Sequence, residues 1–416
     1  MNRREFLKAA GMATASCFLP GFQAWAVESN SKTSSNKKLV VVFLRGAIDG
    51  LNVVVPHGDP AYYSMRQKIA LQAPGSPGTA LALDRDFALH PSLAALMPLW
   101  QKKKLAFVLN AGSPDPTRSH FDAQDYMETG MPGNKVASTG WMQRLLAQMP
   151  DNHSPVRAIN VGSTTPRILA GPIAAATYAP SAKRRRAPID RADISSEFQQ
   201  MYKGRNDDLE HAFLEGIAAR NTINTALAGD EMNAEMQAAN GGALAANKFG
   251  GFGKQLGKLM HDEAKVQVAF VALGGFDTHV NQGNEKGQLA NQLNVLGTGL
   301  SELSAALGPS FDDTTIMVIS EFGRTAKENG NGGTDHGHGN LIWLLGGDIN
   351  GGKLYGRWNG MSQKELYEGR DLPVSTDFRS VISSVIGEHL RLSQSQLEAI
   401  FPGFKFTDKS LSSIIV

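Results

Sequence analysis

Six short runs of this chain are apolar at successive positions instead of alternating: 39–44, 105–109, 158–161, 266–273, 314–319 and 341–345. Strands of that kind are covered on both faces, as in parallel sheets. Between them, segments 93–100, 208–227, 287–306 and 378–390 carry apolar residues at spacings of three and four, the signature of a helix with one buried face. Strands alternating with helices predict a mostly parallel α/β sheet. An alanine-rich stretch broken by glycines, 221–258, interrupts the pattern and reads as part of a helical insertion around 205–260.

The first 26 residues follow a different logic. A twin-arginine pattern, Arg3-Arg4, precedes a moderately apolar run from Ala9 to Pro20, and Ala24-Trp25-Ala26 supplies a small-x-small cleavage site. The segment therefore reads as a signal for the twin-arginine export machinery, which carries folded proteins to the periplasm or beyond. The apolar run is too short to anchor the chain in a bilayer after cleavage. Residues 27–38 are polar and rich in serine, asparagine and lysine, as in a flexible tether. Residues 39–416 are then expected to form a single domain.

Composition narrows the function classes. Of 41 basic and 39 acidic side chains, three and one lie in the signal, which leaves 38 of each. That balance favours neither nucleic acid nor an anionic membrane. The run Lys183-Arg184-Arg185-Arg186 is a local exception and reads as a solvated loop. The sole cysteine, Cys17, lies in the signal, so a mature chain has no internal disulfide and depends on its core.

Reactive side chains gather where the strands end. Asp49 follows the first run, Ser119 and His120 the second, Asp277 and His279 the fourth, and Glu321 the fifth, while Asp335, His336 and His338 lead into the last. The carboxyl ends of parallel strands form one rim, the usual place for ligands. Carboxylates and imidazoles are cation ligands, and the glycines of the 320–340 stretch let the backbone fold tightly around such a centre. Asp49, Asp277, His279, Glu321, Asp335 and at least one of His336 and His338 are thus candidate ligands for one or two divalent ions. Zinc or manganese suits the mixed donors best, with calcium or magnesium the alternatives. Asp49 reads equally as a turn residue beside Gly50, and Asp277 with His279 as a hydrogen-bonded pair that fixes its loop. Ser119 is placed to open a helix, either as a nucleophile at the positive end of the helix dipole or as a plain cap. Arg118 and Arg324 are candidates to neutralise charge on a transferred group.

LRGAIDGLN (44–52), GGFDTH (274–279), SEFGRT (320–325) and GTDHGHGN (333–340) together resemble a twin-arginine-exported family, domain-of-unknown-function family 1501, over nearly the whole mature chain. The resemblance implies an alkaline phosphatase-like, three-layer α/β/α sandwich. It implies that Asp49 binds one metal, that Asp277 and His279 bind another, and that His336 or His338 supplies the final imidazole. Ser119, opening a helix that ends near Thr129-Gly130, matches the nucleophile. Two positions depart from the superfamily: one residue instead of three separates Asp277 from His279, and Glu321-Phe322 stands where an Asp-His pair is usual. The expected function is an exported metal-dependent hydrolase of phosphate or sulfate esters, acting on a small anionic substrate. The alternative is an exported binding or assembly protein that keeps the fold without catalysis.

Overall fold

A computed structural model describes residues 36–150, 154, 156–162, 164–178, 243–406, 411 and 413–416. The signal, most of the tether, the expected helix 208–227, the run 183–186 and most of the expected insertion lie outside these residues.

Ten strands form the main sheet: β1 (Lys38–Leu44), β2 (Leu105–Gly112), β3 (Ala158–Val161), β4 (Ala176–Tyr178), β5 (Leu244–Ala245), β6 (Val268–Gly274), β7 (Thr314–Ser320), β8 (Asn340–Gly346), β9 (Lys353–Tyr355) and β10 (Thr376–Asp377). The order is β9-β2-β8-β7-β1-β6-β3-β4, with β10 beside β2 and β5 beside β6. All pairings are parallel except those of β8, which runs antiparallel to both β7 and β2. The expected sheet is therefore present, as is the layering that covers both its faces.

The reason shows in β1, which is buried at every position. Val40, Val42 and Leu44 enter one apolar cluster with Phe249, Leu256, Leu293 and Leu300, from helices α3 (Phe249–Asp262) and α4 (Gln288–Ala306). Leu39, Val41 and Phe43 enter another, with side chains of α2 (Trp141–Gln148), α5 (Phe378–His389) and α6 (Gln394–Ile400). Alternate side chains of one strand point to opposite faces, so an unbroken apolar run needs a helical layer on each side. Each such Val, Leu or Phe contributes about 1.5–3 kcal/mol by burial, which holds the sheet without disulfides. Segment 93–100 is less regular than its periodicity suggests: a 3₁₀ turn, Pro91–Leu96, leads into a short α-helix, Met97–Gln101. Pro91 and Pro98 each open a helical piece, where a missing N–H costs least.

The antiparallel β8 positions the site. Entering next to the end of β7, it brings the loop before it onto the same rim as the loops that leave β1, β2, β6 and β7. Gly323, Arg324, His336 and His338 zip that loop into a narrow hairpin: Gly323 N–H donates to the His338 carbonyl at 2.8 Å and Gly337 N–H to Gly323 at 2.8 Å.

Candidate metal centre

The centre is assembled by loops touching backbone to backbone. Gly46, just past β1, has φ of +108°, and a Cβ there would lie 2.5 Å from the Asp277 nitrogen. Only glycine permits that approach. It brings the β1 loop against the loop that follows β6, while α1 (His120–Thr129), capped by Ser119, delivers His120 from beyond β2.

Three imidazoles meet at one point. His336 Nε2 lies 3.0 Å from His120 Nε2 and 3.0 Å from His279 Nε2. Asp277 joins them, with Oδ1 2.9 Å from His279 Nε2 and 3.5 Å from His336 Nε2, and Oδ2 3.6 Å from His120 Nε2. The four side chains are between 23% and 44% exposed, so the point opens to solvent on one side.

The outer nitrogens decide the chemistry. His336 Nδ1 lies 2.9 Å from the Arg118 carbonyl, which only accepts, so Nδ1 carries the proton. His120 Nδ1 faces the Glu321 carboxylate at 2.7 Å, and His279 Nδ1 faces Asp335 at 3.2 Å. Ionised carboxylates likewise only accept. Asp335 is held below its ordinary range by the Asn329 amide and by His279. Burial works to raise the Glu321 pKa, but hydrogen bonds from His120, Gln124 and the Gly46 N–H hold it down. When a ring is deprotonated on the inner side it therefore turns an Nε2 lone pair toward the others, with Arg324 Nη1 3.5 Å from that of His279. Three such lone pairs and a carboxylate repel one another until a cation sits among them. Zinc bonds of about 2.0–2.1 Å set tetrahedral donors roughly 3.3 Å apart; His120, Asp277 and His336 offer donor atoms all within 4.8 Å of one another, with His279 against Asp277 and His336. The donor set fits a divalent metal, and the outer partners fix each ring as metal-bound histidines require.

Without a metal, a proton takes that place. Burial alone would lower the His120 pKa, but hydrogen bonds to Asp277 and Glu321 outweigh it and push it up to about 9. Burial likewise opposes ionisation of Asp277, yet His120, His336 and Arg324 hold its carboxyl far below the usual range. Arg324 is buried and donates to the carbonyls of Ala47 at 2.6 Å, Gly46 at 2.6 Å and Thr334 at 2.9 Å, and to Asp277. It ties three loops together and fixes Asp277. Its guanidinium leaves no edge turned to a substrate, so the expected role in neutralising a transferred group has no support in its contacts.

Asp277, His279 and His336 are thus brought together, joined by His120, to which the sequence assigns no role. Glu321 and Asp335 stand one layer back, on the rings of His120 and His279. Asp49 does not join. It is fully buried, with Oδ2 held by Arg66 at 2.6 Å and by Gln282 at 2.6 Å and Oδ1 without a hydrogen-bond partner among the described residues. His338 also stays apart, buried with its ring centroid 4.7 Å from that of Tyr367, the planes tilted by 37°. Ser119 accepts from the Asp122 N–H at 3.5 Å as a helix cap, and among the described residues no base contacts its hydroxyl. Arg118 pairs with Asp371 at 2.7 Å and Glu368 at 2.8 Å. A cavity of about 550 Å³ lies beside the centre, walled by Lys327, Glu328, Gln363, Arg370 and Asp335 but by none of the three imidazoles. The Ser119-His120 step held the one available clue to this member of the cluster: a histidine opening a helix on the same rim.

Fold and site define an α/β protein with a cluster of imidazoles and a carboxylate on the rim of its sheet that could hold a metal ion. The model of the family described as "Protein of unknown function (DUF1501)" matches residues 36–401, and the chain belongs to that family. No curated protein matches it. Among solved structures it is similar to Ps i-CgsB in complex with k-i-k-neocarrahexaose, at 11% identity and a TM-score of 0.41, over 87% of this chain and 74% of that one. The C-terminal periplasmic domain of EcEptC from Escherichia coli, in complex with Zn, matches at 10% identity and a TM-score of 0.34, covering 76% and 74%. Alkaline phosphatase from the Antarctic bacterium TAB5 matches at 10% and 0.33, covering 75% and 91%. Likenesses this distant carry nothing about activity.

Proposed function

We propose that the protein is an exported, metal-dependent hydrolase of phosphate or sulfate esters that works with a single divalent cation, zinc before manganese. The observation that carries the reading is the set of three Nδ1-anchored imidazoles turning their Nε2 atoms, with Asp277, onto one solvent-facing point. A cation there supplies Lewis acidity to a bound ester oxygen. One ion is expected because Asp49, the ligand a second ion would use, is neutralised by Arg66.

The chain's own residues hold and orient. Glu321, Asp335 and the Arg118 carbonyl keep the three protons on the outer nitrogens, so no ring flips its tautomer when a small anionic ester arrives. Arg324 keeps Asp277 ionised and fixed. Ser119 precedes His120 directly and supplies a hydroxyl beside the centre, which makes it the residue to test as nucleophile.

A second reading has its own observation. Four protein donors are the number that closes a structural zinc site, and no base touches the Ser119 hydroxyl. An exported binding or assembly protein with a structural metal fits those two facts. Assay of the zinc-loaded chain on aryl phosphate and aryl sulfate esters separates the readings. Turnover that needs metal and is lost in Ser119→Ala supports the hydrolase, and tightly held metal with no turnover on either ester supports the binding protein.

A further inference from the structure

Phe322 stands where the resemblance leads one to expect a metal-binding histidine, and its ring cannot coordinate. Its surroundings give it another task. The side chain is 3% exposed, and among the described residues it clusters with Ala47 and Ala123 and belongs to neither large core cluster. Its ring lies instead against two of the three imidazoles, with centroids 4.9 Å from His120 and 5.2 Å from His336. The residue before it, Glu321, holds His120 Nδ1. Its own carbonyl accepts from Asn340 Nδ2 at 2.6 Å, at the head of β8, so its backbone is pinned as well.

We infer that Phe322 is a positioning residue for the metal, a wall that fixes the planes of His120 and His336 while Glu321 and the Arg118 carbonyl fix their outer nitrogens. This rests on the reading of the centre as a metal site. An imidazole gripped by one hydrogen bond can still swing about that bond, and a buried aromatic face against the ring removes the swing. The two small alanines behind Phe322 leave nothing else to take over that contact. Glu321 and Phe322 thus work as one two-residue clamp: the carboxylate sets which nitrogen faces inward, and the phenyl ring sets where it points.

Cobalt and zinc binding by the full mature chain tests this. Phe322→Ala should weaken zinc binding, measured by competition with a chromogenic chelator, by about 10- to 100-fold, the range seen when the partners of metal ligands are removed. It should also shift the visible bands of the cobalt form, because two donors are no longer held in place. Phe322→Leu, which refills the volume, should recover most of the affinity and also covers the case in which the alanine variant fails to fold. Ile319→Ala on β7 serves as a packing control: it should lower the melting temperature of the metal-free protein without altering the cobalt spectrum. The inference is overturned if Phe322→Ala binds zinc as tightly as the parent with an unchanged cobalt spectrum. It is overturned equally if Ile319→Ala weakens binding in the same proportion to its loss of stability. A parent chain that takes up no zinc or cobalt defeats the metal reading beneath it, a result distinct from either of these.

Discussion

Two aspartates, each following a core strand onto the same rim, meet opposite fates. Asp49 is sealed under the loops with its carboxylate between Arg66 and Gln282, both fully buried. Asp277 also meets a guanidinium, that of Arg324, but is 44% exposed and faces three imidazoles. Arg66 holds one oxygen of its carboxylate, Oδ2, while the buried Oδ1 has no hydrogen-bond partner among the described residues. The arginine makes a pillar: it also donates to the Thr325 and Ala326 carbonyls at 2.9 Å each, and Gln282 accepts from Thr278 at 2.7 Å and Thr334 at 3.2 Å. Arg324 steadies its carboxylate from behind and leaves it available in front. A carboxylate at a strand end is therefore left open to solvent or sealed as a strut according to which side its arginine occupies.

The largest test of that contrast is Arg66→Met. It leaves Asp49 buried without a countercharge, and breaking a buried pair in this way costs about 3–5 kcal/mol. Chemical denaturation of the metal-free chain should show a loss of that order, and an unchanged midpoint would mean that the pair holds nothing together. Glu321→Gln acts on the other region. It keeps a hydrogen-bonding side chain on His120 but removes the charge, and zinc affinity should fall about 10- to 100-fold. If the affinity holds, the outer carboxylate does not set the ring.

The pH dependence follows from His120, raised from its ordinary 6.5 to about 9. A raised pKa stabilises the metal-free fold fully below about 6.5, and that stabilisation is lost as pH rises through 9. Zinc must displace the same proton, so its affinity should climb about tenfold per pH unit up to 9 and then level. Parallel melts and zinc titrations should therefore move in opposite directions between pH 7 and 9. Curves that run together would remove His120 from the ligand set. The smallest effect belongs to Ser119→Ala, which loses a cap bond of 3.5 Å and should cost about 0.5 kcal/mol in a thermal melt, the low end for such caps, with zinc affinity unmoved.

Much of the fold was legible because two-sided burial writes itself into sequence as unbroken apolar runs. The six runs became β1, β2, β3, β6, β7 and β8 with ends shifted by three residues or fewer. The reversal of β8 was not legible, since an apolar run looks the same in either direction. The rim placement of Asp277 and His279 was readable from strand ends alone, whereas that of His336 depends on the reversal of β8. The fate of Asp49 was not: its partner Arg66 comes from a loop 17 residues on, and no local pattern says that a guanidinium folds back beneath the carboxylate. His120 was hidden for a similar reason. As the first residue of α1 it is aimed by the turn that Ser119 caps, and a helix-opening Ser-His step carries no local sign of where the ring points.

Elemental analysis of the purified chain, parent beside His336→Ala, addresses the centre most directly. One equivalent of a divalent metal per parent chain, absent from the variant while its metal-free stability is kept, is the predicted outcome. Two equivalents in the parent, or one that survives the loss of His336, would contradict it.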